Sequence, residues 1–543
     1  MRKRLPRIIG KPAVLLITLL MGQGCSPPRA IETVPLIDVS VLTVTDLRSG
    51  LDSGWYSATD LTRAYLDRIK RIDDAGPQLN AIIEINPDAM AIAAQLDAQF
   101  AAGGPRGSLH GLPVVLKANI DTADGMATSA GSLALATHQA AIDAFVVSRL
   151  RAAGAIILGK ANLSEWANFR DEHSSSGWSS VGGQTKNPFV LDRNPCGSSS
   201  GSAVAVAASL APLAVGTETS GSIVCPAGTN GVVGIKPTVG VISRSGIIPI
   251  SHSQDTAGPM AKTVTGAALL LEAMIGFDPS DAGAVEFADG ASLLPDPAGV
   301  RLDGIRIGVL RGYYGSGRFP QVDAIYEANI AVLAGLGATA IDPIEYRASD
   351  TQRAAQYQVL LYEFKAGLNA YLESHSVADE VDSLADLIIY NNANQPRVMP
   401  HFAQNIFIDA QATDGLEGAA YLQAREDANQ RLRDDVDALF VAQKLDAILL
   451  PVNGPAWPID WLSGDNYGFG GTAYLAAVTG YPSIVVPAGN VSGLPIAVGF
   501  LGRAFTERNI IQMAYAFEQA TRARIDPMFV ETLETTTPSP GTR

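Results

Sequence analysis

Between Asn194 and Gly228 the chain reads NPCGSSSGSAVAVAASLAPLAVGTETSGSIVCPAG. Two Gly/Ser-rich turns flank a helix of very small residues, Ala203 to Ala208, and an apolar strand. Glycine and serine permit tight backbone paths and close approach to a ligand. Taken alone, the same stretch also describes a flexible linker or a tightly packed helix–strand pair, so its context decides.

Around it, short apolar runs alternate with helical patterns: Leu112 to Lys117, a helix from about Asp143 to Ala153, then Ala155 to Gly159. Strands alternating with helices predict an α/β fold layered around a largely parallel sheet. Upstream, Ser57 with Asp60 makes a capping-box pattern ahead of Leu61, Tyr65, Leu66 and Ile69 at helical spacing, and Asp88 to Phe100 reads as an Ala-rich helix. Residues 275–300, rich in Asp, Ala, Gly and Pro, read as a crossing loop. A strand at Gly304 to Leu310, helices at roughly 322–336, 351–375 and 418–443, and strands at Asp446 to Leu450, Ser483 to Pro487 and Pro495 to Gly502 follow. One sheet domain over 31–533 with a helical insertion at about 320–440 accounts for this order, and the Thr-, Pro- and Gly-rich end, 534–543, is expected to be disordered.

At 543 residues with 47% hydrophobic and 17% charged content, the chain falls in the globular range. A net charge of −15 without a basic face argues against a nucleic-acid partner, because phosphate binding needs clustered Lys and Arg. The basic residues that do cluster, Arg2, Lys3, Arg4, Arg7 and Lys11, precede the apolar run Ala13 to Met21. That run is too short to span a bilayer and reads as an export signal within residues 1–30. Cys25, after Gly22-Gln23-Gly24, resembles a lipoprotein box. The product is therefore expected to be periplasmic or extracellular, either soluble or attached to a membrane only through a lipidated Cys25. Cys196 and Cys225 remain, too few for a disulfide scaffold; a bridge between them is conceivable, but buried thiols packed as small hydrophobes are the expectation.

The long Gly/Ser stretch resembles the amidase signature family, whose pattern is a Gly/Ser turn, a small-residue helix and a Gly-Thr-acid-Thr-Gly-Gly-Ser turn. Gly216-Thr217-Glu218-Thr219-Ser220-Gly221-Ser222 matches that second turn. The resemblance implies that Ser222 is the nucleophile, that Ser198, 24 positions earlier, is a bridging serine after a cis peptide bond from Gly197, and that Lys117, ending Gly111-Leu112-Pro113-Val114-Val115-Leu116-Lys117, is the base. Further matches at Gly183 to Pro188, Asp255 to Met260, Pro451 and Gly480-Tyr481-Pro482 extend it over most of the chain. It implies the amidase signature fold, a large, mixed, mostly parallel twisted sheet covered by helices on both faces. It also places Asn168, Phe169, Gly177 and Trp178 in a stretch that lines the site. The variants around Ser198 and Ser222 are most similar to the peptide amidase branch, which removes the C-terminal amide of peptides. Two departures stand out: Ser220 replaces the first glycine of the turn, and Val224 replaces a frequent arginine.

The chemistry follows from the residue types as well. A serine hydroxyl needs a base before it is a strong nucleophile. A lysine serves at neutral pH only if burial disfavours its ammonium form. A hydroxyl such as that of Ser198 both donates and accepts, so it can relay the proton. Consecutive backbone N–H groups of Thr219, Ser220, Gly221 and Ser222 are candidates to hold the oxyanion. The expected activity is hydrolysis of a primary carboxamide, such as a peptide C-terminal amide, to acid and ammonia. The partner is a small amide or amidated peptide, with no obligate subunit, no cofactor and no metal, in a monomer.

Two alternatives belong to other classes. Gly197-Ser198-Ser199-Ser200-Gly201 also satisfies the Gly-x-Ser-x-Gly elbow of an esterase with Ser199 as nucleophile, although no histidine follows His401. An exported binding protein could keep the fold without activity. Gly154 to Lys160 spells the start of a P-loop, but Ala161 stands where Ser or Thr is required.

Overall fold

The computed structural model describes residues 37–287, 292–311, 319–375, 381–452, 454–466 and 473–533. The export-signal and tail expectations, on residues 1–36 and 534–543, lie outside them. Thirteen strands form among the described residues: β1 (Ile82–Ile85), β2 (Pro113–Lys117), β3 (Ile156–Ala161), β4 (Trp178–Ser179), β5 (Gly183–Gln184), β6 (Leu213–Glu218), β7 (Val233–Lys236), β8 (Thr256–Ala261), β9 (Arg306–Leu310), β10 (Thr339–Ile344), β11 (Ala447–Pro451), β12 (Ser483–Val491) and β13 (Leu494–Leu501). β4 and β5 make a short ribbon; the other eleven join in one sheet in the order β1-β3-β2-β6-β8-β7-β12-β13-β11-β9-β10.

This is the large mixed sheet with helices on both faces that the resemblance implied, with one correction. Only β2/β3, β2/β6, β9/β11 and β9/β10 pair in parallel, and the six other neighbours are antiparallel. The central strands are buried along their whole length, as in β6 and β8, so their apolar runs carry no mark of direction. Connections decide instead. Ser492 and Gly493, both at positive φ (53° and 81°), form a two-residue link that can only return β13 antiparallel to β12.

Local signals place the elements that carry the site. The capping box forms: Asp60 N–H donates to Ser57 Oγ at 3.0 Å, and Ser57 N–H returns to Asp60 Oδ2 at 3.0 Å, opening the helix Ala58–Ile72. The small-residue helix runs Ser200–Ala207, every residue buried, and packs on β2, β3, β6 and β8. Its Gly201 lies so close to the Ala81 carbonyl and the Asn162 backbone that a Cβ has no room. The region expected to be a helical insertion contains the helices Pro320–Gly335, Asp350–His375, Leu384–Ala393 and Asn405–Gln411, but also the edge strand β10. The long helix Asp350–His375 contributes Leu361, Phe364 and Leu368 to a second core with Trp166, Phe169 and Phe407. Among the described residues no helix is long and apolar enough to cross a membrane.

Candidate active site

Lys117 ends β2 in the centre of the parallel part of the sheet, fully buried. Its Nζ donates to Ser198 Oγ at 2.7 Å, to Thr217 Oγ1 at 2.8 Å and to the Thr217 carbonyl at 3.2 Å. Thr217 lies on β6, the parallel neighbour of β2, so pairing register delivers the lysine to the second turn. Burial pulls the Lys117 ammonium down to about 7, against the opposing pull of Asp255 and Glu218.

Ser198 follows a cis peptide bond from Gly197 and is fully buried. Ser199 is committed elsewhere: its Oγ donates to the Thr217 carbonyl at 3.0 Å and accepts from Thr217 N–H at 3.2 Å, within the fully buried floor of the turn. The same residue ties the two turns together, since Ser199 N–H donates to the Ser222 carbonyl at 3.2 Å. Cys196 and Cys225 then stand with Cα atoms 6.0 Å apart and form a disulfide, which corrects the expectation of free thiols. Their contact depends on how the two turns pack, and their 29-residue separation carries no sign of it.

Beyond β6 the chain turns through Thr219, Ser220, Gly221 and Ser222. Gly221 takes φ 87°, while Ser220 is not among the positive-φ residues, so the Ser-for-Gly departure meets no backbone obstacle. The N–H groups of Ser220, Gly221 and Ser222 make no hydrogen bond to described residues, and neither does the Ser222 hydroxyl. The turn's exit is held by Glu218, whose buried Oε2 accepts from Ile223 N–H at 2.7 Å and Val224 N–H at 3.0 Å. Sequence reasoning gave Glu218 no role; its signal is an acidic residue inside an otherwise apolar, buried strand.

Ser222 lines a cavity of about 370 Å³ with Cys196, Gly197, Val224, Leu360, Val452, Trp457 and Tyr474. Asn168 and Phe169 also line it; Gly177 and Trp178 do not. The Trp178 indole packs instead on His401 and Phe402, with ring centroids 5.3 and 5.2 Å away. Gly177 N–H donates to Ser164 Oγ at 2.8 Å, in the layer behind. Asp465 secures the rim, accepting from Ser176 N–H at 3.0 Å, Asn194 Nδ2 at 3.0 Å and Trp457 Nε1 at 3.3 Å. A second cavity, of about 260 Å³, shares Ala167, Thr219 and Ile250 with the first and is lined by Asn119, Thr217 and Asp255.

A mixed eleven-stranded sheet with a buried lysine, two serines and a mostly apolar cavity above its central strands is the architecture of a hydrolase of linear amides. The amidase family model matches residues 60–511, and the chain belongs to that family. It is an enzyme acting on carbon–nitrogen bonds in linear amides. The solved structure of native peptide amidase from Stenotrophomonas maltophilia superposes with a TM-score of 0.85 at 48% identity, covering 91% of this chain and 99% of that one. A probable amidase of Arabidopsis thaliana is 38% identical over 95% of this chain and 97% of its own length. A glutamyl-tRNA(Gln) amidotransferase component from Ralstonia pickettii is 36% identical over 88% of this chain and 97% of its own.

These relatives correct the expectation of export. The peptide amidase and the glutamyl-tRNA(Gln) amidotransferase are intracellular enzymes, which overturns a periplasmic, extracellular or lipid-anchored location read from the basic-apolar start and Cys25.

Proposed function

We propose that the chain hydrolyses a primary carboxamide, in particular the C-terminal amide of a peptide, to carboxylic acid and ammonia through an acyl-enzyme on Ser222. Ser222 Oγ attacks the carbonyl carbon; its proton passes to Ser198 Oγ as the Ser198 proton passes to Lys117 Nζ. The oxyanion is met by the unpaired N–H groups of the Thr219–Ser222 turn. Collapse of the intermediate expels ammonia, which takes the proton back along the same relay, and a water then cleaves the ester. Nucleophile and base are both supplied by the chain, so the reaction needs no cofactor or metal, and the enzyme works as a monomer on a small amide or amidated peptide.

The observation that carries this reading is Lys117: buried, pulled down to about 7 and 2.7 Å from a hydroxyl that can pass a proton on. Asn168 and Phe169 are the proposed substrate contacts on the cavity wall. Ammonia release is the test. A panel of peptide amides and simple aliphatic and aromatic amides is expected to yield ammonia from at least the peptide amides, and no release from any of them would refute the proposal.

A further inference from the structure

We infer that Asp255, acting through Thr219, is a positioning residue that holds the oxyanion turn in register with Ser222; this rests on the serine-amidase reading above. Thr219 is the first residue after β6. Its Oγ1 donates to Asp255 Oδ1 at 2.5 Å, and its carbonyl accepts from Gln254 Nε2 at 3.2 Å. Asp255 stands just before β8, whose Thr256 pairs with Glu218 at the last rung of the β6/β8 ladder. The clamp thus begins where sheet hydrogen bonding stops. Asp255 is itself fixed, because Oδ2 accepts from the N–H groups of Ile250 and Ser251, both at 2.8 Å.

The turn is consequently held at both ends by carboxylates, Asp255 at its entrance and Glu218 at its exit, while the N–H groups between them stay unpaired. Donors that need no reorganisation as charge develops are the ones that lower a barrier. The division of labour on Asp255 makes the role separable: Oδ1 serves the turn and Oδ2 serves the 250–251 loop. Thr219→Val removes the first contact and leaves the second intact.

The test measures steady-state hydrolysis and the rate of Ser222 labelling by a serine-directed phosphonate on the full chain. Thr219→Val and Asp255→Asn are each expected to lower kcat by about tenfold to hundredfold, with KM changed less than about threefold. Thr219→Ser is expected to restore most of the rate. The double variant Thr219→Val/Asp255→Asn is expected to be no slower than the slower single within about threefold, because both break one contact. Wild-type kcat in Thr219→Val, or losses that multiply in the double variant, would overturn the inference, and the Thr219 variants decide it even if Asp255→Asn does not fold. If wild type releases no ammonia from any amide yet is labelled, the amidase reading fails while the labelling rates, with the same expected fold-changes, still decide the clamp. Absence of labelling in wild type overturns both.

Discussion

The region around Lys117 and the region around Lys236 are built alike and differ in one respect. Each lysine ends a strand of the sheet, each is fully buried, and burial pulls each ammonium down, to about 7 and about 8. Lys236 Nζ is capped by main-chain carbonyls, Tyr481 at 2.9 Å and Pro237 at 3.1 Å, which also gives the Gly480-Tyr481-Pro482 motif a structural task. Lys117 meets the hydroxyls of Ser198 and Thr217. A carbonyl only accepts, so it locks the lysine as a donor; a hydroxyl has a proton to give. Lys160, also buried and pulled down to about 8, contacts the Ile120 carbonyl and, at 3.4 Å, Thr128 Oγ1. Burial is therefore common to three lysines, and the close serine partner belongs to Lys117.

The largest test of this contrast is Ser222→Ala, expected to lower kcat by about 10⁴-fold or more in ammonia-release assays. Ser199→Ala, by contrast, should stay within about tenfold of wild type; the reverse ranking would restore the esterase elbow. Next in size is Lys117→Ala, with a loss of about 10³-fold or more, and Ser198→Ala, with a smaller one. Equal activity of wild type and Lys117→Ala would end the relay.

A pH profile sharpens the comparison further. Lys117 acts only when neutral, so kcat/KM should rise as pH increases through about 7, and that limb should be missing in Lys117→Ala. The smallest kinetic effect is expected in Lys236→Met, with kcat within about threefold of wild type. Its cost should appear in stability, on the order of 1–3 kcal/mol in denaturant unfolding, from carbonyls left unpaired. Its lysine also has a linkage signature. The ordinary value is 10.5 and the folded value about 8, so between them the unfolded chain binds the extra proton and the Lys236 contribution to stability rises with pH. Lys236→Met should have a flatter melting-temperature profile over that window.

Much of the fold is legible locally. The strands Pro113–Lys117, Arg306–Leu310 and Ala447–Pro451 fall within a residue or two of the apolar runs that predicted them, as does the helix Asp350–His375. The same runs leave strand direction unmarked, and short segments such as Val233–Lys236 and Thr339–Ile344 pass unnoticed because four to six residues give little periodicity. At the site, Lys117, Ser198 and Ser222 stand in motifs that can be read one at a time. Glu218, Asp255 and Asp465 do not, because each works by reaching a backbone or side chain delivered by another element. Trp178 misleads for the same reason: an aromatic beside a glycine suggests a cavity wall, but its ring is taken up by Phe402 and His401.

What the sequence determined by itself is the list of chemical groups and the backbone freedom around them: a lysine after an apolar strand, serines in turns rich in glycine, and small residues where a helix must lie close. Tertiary structure alone decided which of three buried lysines faces a serine, that Cys196 meets Cys225, and which amide donors stay unpaired. Those outcomes depend on distances between elements far apart in the chain. They are set by sheet register and turn packing, and no run of neighbouring residues encodes either.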